Sequence, residues 1–110
     1  MDKKYKITSS TGEVSFVKGV CVTIYIKYTP YEFIIHEHVI YKGLYDLTHK
    51  DSGRVVSSLM PYLTSPPFIR SEKIAAAKLA IKNLVEKYGA EYVKATLERA
   101  PKIKEETRNG

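Results

Sequence analysis

A chain of 110 residues has room for one hydrophobic core and not for two. Its composition, 44% hydrophobic and 27% charged, excludes a disordered, collagen-like or low-complexity polymer, and its single cysteine, Cys21, excludes an intrachain disulfide scaffold. The charge is the unusual quantity: 18 Lys and Arg against 12 Asp and Glu leave +6, which invites an anionic partner because lysine and arginine neutralise phosphates and release counterions.

The N-terminal Met1-Asp2-Lys3-Lys4-Tyr5-Lys6 has no apolar segment behind it, and no apolar run reaches the roughly 18 residues of a membrane span. These features lead us to expect a cytoplasmic protein, or a nuclear one in a eukaryote, with no membrane partner. In chain order, residues 4–8 and 13–17 read as short strands joined through Ser9-Ser10-Thr11-Gly12. After Gly19, which breaks or bulges the path, Val20 to Tyr28 alternates cleanly. Val20, Val22, Ile24 and Ile26 share one face, and Cys21, Thr23, Tyr25 and Lys27 the other. Thr29-Pro30-Tyr31 reads as a turn, because proline donates no ladder hydrogen bond. Glu32 to Lys42 is apolar on both faces and is expected to be a central strand. Leu44 to His49 and Arg54 to Leu59 flank the turn signal Lys50-Asp51-Ser52-Gly53.

Pro61 and Ser65-Pro66-Pro67 then separate a strand-rich half from a helical one. Ser71 stands where a helix N-cap belongs, with Glu72 in the first turn. From Glu72 to Tyr88 the residues Ile74, Ala77, Ile81, Leu84, Val85 and Tyr88 fall on one stripe, opposite Lys82, Asn83, Glu86 and Lys87, and Gly89 is a natural stop. Ala90 to Ala100 forms a second, shorter helix. The expected fold is therefore α+β: an antiparallel sheet of four to six short strands within residues 4–59, followed by one long and one short C-terminal helix packed on one face. Residues 1–100 form the domain, and 101–110 a flexible charged tail.

Catalytic signatures are sparse. The glycines are isolated and form no phosphate loop, and Cys21 lies on a strand away from any helix N-terminus that would stabilise a thiolate. The most suggestive local feature is His36-Glu37-His38, since a period of two puts both imidazoles on one strand face, close enough to chelate one metal ion. A third ligand would have to come from His49, Cys21 or a carboxylate, and two histidines alone more often line a solvated stripe. This segment resembles the metal-binding strand of rolling-circle replication initiators, and Tyr88 and Tyr92, four apart, resemble the paired nucleophilic tyrosines of some members. That resemblance implies a metal-dependent nuclease. Glu37 departs from it by occupying a position that is hydrophobic in the family.

Binding is the better-supported class. Five of the nine tyrosines lie between residues 25 and 45, and tyrosine can stack on bases where lysine meets phosphate. The leading expectation is a non-enzymatic protein that binds DNA or RNA on a sheet face, with Tyr25 stacking and Lys27, Lys42, Lys50 and Arg54 as phosphate contacts. The alternative is a protein-interaction module, a small regulatory or viral accessory factor, because tyrosine serves protein interfaces equally well. Leu79 lies outside the helical stripe beside Ala76 and Asn83, a place where small residues admit another helix. That face could support a homodimer. No cofactor is expected. Residues 1–70 and 71–110 each hold nine basic and six acidic groups, so each carries +3 and neither contains a dense basic run.

Overall fold

The computed structural model describes residues 3–9 and 11–103. Met1, Asp2, Ser10 and most of the expected charged tail, 104–110, lie outside the described residues. Five strands, β1 (Lys3–Thr8), β2 (Val14–Ile26), β3 (Thr29–Glu37), β4 (Tyr45–His49) and β5 (Arg54–Ser58), pair in sequence order as one antiparallel sheet. Helices α1 (Arg70–Tyr88) and α2 (Ala90–Arg99) follow, separated by Gly89 alone. The α+β arrangement expected from the sequence is the one observed.

The helices cover one face of the sheet. Val22, Ile24 and Ile26 of β2, Phe33 and Ile35 of β3 and Leu47 of β4 meet Ala76, Ala77, Ala80 and Ile81 of α1 and Val93 and Leu97 of α2. Alanine at three of the four buried α1 positions lets the helix axis approach the sheet closely. The hydroxyl of Tyr31 donates to the Glu98 carboxylate, tying β3 to α2. Burial, together with that bond, pushes the phenol up to about 12.

The opposite face is closed by curvature. Ile34, His36 and Thr48 are buried although alternation turns them away from the helices, and Ile7 of β1 is buried with them. The curl brings the two ends of the sheet together, where the Thr8 amide donates to the Gly53 carbonyl at 2.6 Å. Gly53 has φ +71°, and an added Cβ would sit 2.8 Å from Ile103 Cδ1 and 3.0 Å from Thr8 Oγ1. The same corner receives the chain leaving α2, since the Ile103 amide donates to the Asp51 carbonyl at 2.7 Å. Ile103, expected to belong to the flexible tail, is thus docked on the sheet.

Several local expectations are corrected. Residues 14–26 form one strand rather than two, passing through Gly19 without interruption. The turn after β2 is Lys27-Tyr28, both at positive φ (49° and 70°), a two-residue hairpin whose twist matches its strands. Pro30 lies inside β3 opposite Tyr25. Its missing N–H does no harm there, because it faces the β4 side beyond the last β4 pair, Phe33 with His49. The central strand stops at Glu37, and 38–44 is a loop. Helix α1 begins at Arg70, so Ser71 is not its cap; Glu72 Oε1 instead accepts from the Ile69 amide at 3.3 Å. The buried stripe of α1 is also turned toward Ala76 and Ala80, leaving Tyr88 half exposed.

Gly19 is the pivot of this architecture. It pairs with Lys3 on one side and His36 on the other, at the point where β2 exchanges β1 for β3 as its partner. A Cβ there would lie 2.6 Å from the Ile35 carbonyl oxygen and 2.7 Å from Ile34 Cγ2. Gly19→Ala is expected to cost about 2 kcal/mol through backbone displacement, read as a lower urea midpoint at unchanged m-value.

Candidate binding groove on the free edge of β2

The exchange of partners at Gly19 leaves each half of β2 with one neighbour in the sheet, β1 for the first half and β3 for the second. β1 pairs with residues 14–19 and β3 with residues 19–26. In the two-residue hairpin, Ile26 and Thr29 exchange both backbone hydrogen bonds, so Ile24, Val22 and Val20 also point their amides at β3. Cys21, Thr23 and Tyr25 therefore direct their N–H and C=O groups to the other edge. The Ser9 amide bond to the Glu13 carbonyl sets the same phase from the β1 end. Among the described residues no backbone group pairs with that edge at Cys21, Thr23 or Tyr25.

A groove of about 610 Å³ runs along this edge between β2 and α1. Ile24, Ile26, Ile81 and Val85 supply an apolar floor, and Lys27, Lys78 and Lys82 stand on its rim with Tyr25. No carboxylate lines it among the described residues. Tyr25 is 67% exposed and Tyr28, at the hairpin tip, 95%. Half-buried Cys21 lies on the same strand; burial pushes its thiol up, which suits an inert side chain better than a nucleophile.

The residues expected to form a nucleic-acid surface are distributed differently. Tyr25 and Lys27 meet at the groove. Lys42 lies in the loop beyond the far end of β3, separated from them by about 25 Å of strand. Lys50 is bound by Glu32 at 3.1 Å, the contact that also raises its ammonium above the ordinary lysine value. Arg54 starts β5, opposite His49. Of the helix face considered for dimerisation, Leu79 is 47% exposed and Asn83 Nδ2 donates to the Tyr62 hydroxyl at 2.8 Å, whereas Ala76 lies in the core at 1% exposure. Lys78 and Lys82 lie four residues apart on α1. Their four-residue spacing could have flagged them, but not the strand they border.

His36-Glu37-His38 is occupied with holding the β3–β4 loop. Because β3 ends at Glu37, the alternation that would align the two imidazoles does not extend to His38. His36 is buried, with Nε2 2.7 Å from Thr48 Oγ1 and Nδ1 2.8 Å from the Glu37 carbonyl. Glu37 Oε2 accepts from the Gly43 amide, and His38 Nδ1 accepts from the amides of Ile40 and Tyr41. Among the described residues no three His, Cys, Asp or Glu side chains form a metal-binding group. Tyr88 and Tyr92 pack ring to ring at 5.7 Å beside a cleft between β5 and the helices, on the opposite side of the sheet from His36.

No protein-family model, curated protein or solved structure matches the chain. Among the described residues, no helix is long and apolar enough to cross a membrane.

The third histidine is structural as well. Buried His49 lies with Nδ1 2.9 Å from Ser52 Oγ, which also accepts from the Arg54 amide. Burial holds the imidazole below its ordinary 6.5, against a smaller opposing pull from Asp51. Its neutral form thus belongs to the folded state: the associated stability is complete above 6.5 and is lost as pH falls through the lowered value. Urea midpoints measured from about pH 7.5 to 5 should fall, and Ser52→Ala should remove about 1 kcal/mol at neutral pH.

Proposed function

We propose that the protein is a non-enzymatic interaction module that takes an extended, acidic segment of a partner protein onto the free edge of β2. The observation that carries this reading is the coincidence of an unpartnered strand edge with the groove beside it. An added strand would pair its own N–H and C=O groups with those of Cys21, Thr23 and Tyr25. Alternate side chains would enter the apolar floor formed by Ile24, Ile26, Ile81 and Val85. Lys78 and Lys82 stand on α1 beside the same floor, so glutamate or aspartate is favoured among those side chains, while the remaining ones turn to the opposite face beside Thr23 and Tyr25. A phosphate chain would use the outward N–H groups and the lysines but leave the outward carbonyls without donors, so this groove suits a peptide better than a nucleic acid. A second copy of this chain would bring like charge to the same rim.

Selection from a random-peptide display library is expected to enrich extended sequences in which β-branched residues and acids share one strand face, at every second position. Thr23→Pro removes one outward N–H without touching a β2–β3 bond and should abolish that enrichment. Lys82→Glu, outside the strand, should reverse the charge preference. Enrichment of helical or basic motifs, or enrichment unaltered by both substitutions, would contradict the assignment.

A further inference from the structure

The outward face of the β1–β2 hairpin is a separate surface, independent of the groove. The register sets Lys4 opposite Lys18, Lys6 opposite Phe16 and Thr8 opposite Val14. Alternation puts these six residues on one face, while Tyr5, Ile7 and Val17 turn inward under the curl. Phe16 is 62% exposed and Val14 52%, so neither serves the core. Lys6 Nζ lies 6.0 Å from the centre of the Phe16 ring. Lys4 and Lys18 are both exposed, and neither forms an ion pair among the described residues.

Two properties of this face disfavour the fold on its own. Like charges directly opposite each other on neighbouring strands repel, and an exposed phenylalanine gains nothing from burial. Lysine on β1 alone could be explained as protection of an edge strand against unwanted pairing. An exposed aromatic ring beside the lysines, however, is the reverse of protection. Both features are accounted for by a ligand that carries repeated negative charge and flat apolar surfaces.

We propose that this face binds single-stranded nucleic acid, with Phe16 as a stacking platform for a base and Lys4 and Lys18 as phosphate contacts. Lys18 lies two residues from Phe16 on the same face of β2, about 6.6 Å along the strand, so a phosphate can meet the lysine while its base lies on the ring. The apolar surface, one phenylalanine and one valine, offers little to a lipid bilayer. Stacking does not depend on base identity, so the site is tolerant of sequence.

Fluorescence anisotropy of the full chain with a labelled oligothymidylate of about 15 nucleotides tests the assignment. Binding should be evident at about 50 mM salt and weaken with a log–log slope of about −1.5 to −2, as for two or three phosphate contacts. Phe16→Ala, which leaves the charge unchanged, should weaken binding by about 5- to 150-fold, and Phe16→Leu, which keeps the apolar bulk without the ring, should weaken it as well. Lys4→Gln with Lys18→Gln should flatten the salt slope, while Lys82→Gln in the peptide groove should leave binding unaltered. Three results would overturn the proposal: no binding at low salt, equal binding by the folded Phe16 and double-lysine variants, or binding to phosphatidylserine vesicles but not to the oligonucleotide.

Discussion

The contact between Gly19 and the backbone of β3 is the constraint on which the rest of this structure depends. At that residue one strand must turn from a partner on one edge to a partner on the other while lying against Ile34 and Ile35, and there is no space for a side chain. Because the strand passes through without breaking, its first half carries the β1 hairpin away from the helices and its second half lies over them. The curl that results buries Ile34, His36 and Thr48 on the face that no helix covers, and it brings Thr8 to Gly53. The same exchange of partners leaves the edge from Cys21 to Tyr25 open.

Charge is rearranged by this geometry. Along the chain the +6 is divided evenly and interleaved with acids. In space Lys4 and Lys18 come together from β1 and β2, and Lys27, Lys78 and Lys82 from a hairpin tip and a helix more than fifty positions later. Lys50, by contrast, is neutralised by Glu32. The two clusters have different companions, an exposed ring at one and an unpaired strand edge at the other.

Much of the fold was legible in the sequence because period two and period 3.6 are local signals. The alternation of Val20 to Ile26, the glycine stop at Gly89 and the Asp51-Ser52-Gly53 turn all report interactions between near neighbours. Errors arose where a local signal had a non-local answer. Pro30 reads as a turn until one knows that β4 ends before reaching it, and His36 and His38 read as a chelating pair until β3 is seen to stop between them. Ala76 looked like a surface because its neighbour Leu79 is one, whereas the close seat of α1 on the sheet buries it. The groove was illegible for a further reason: no pattern within β2 tells at which residue its partner changes from β1 to β3. The hairpin face could have been read from Lys4, Lys6, Phe16 and Lys18, whose alternation is plain once the loop between the strands sets their register.

The central claim is that the second half of β2 has a free edge, and amide hydrogen exchange of the uncomplexed protein tests it residue by residue. Val22, Ile24 and Ile26 direct their N–H groups at β3 and should be strongly protected, whereas Thr23 and Tyr25, alternating with them, should exchange at rates close to those of an unprotected chain. Protection at Thr23 and Tyr25 equal to that at Val22 and Ile24 would mean that the edge is already paired, and would contradict the account.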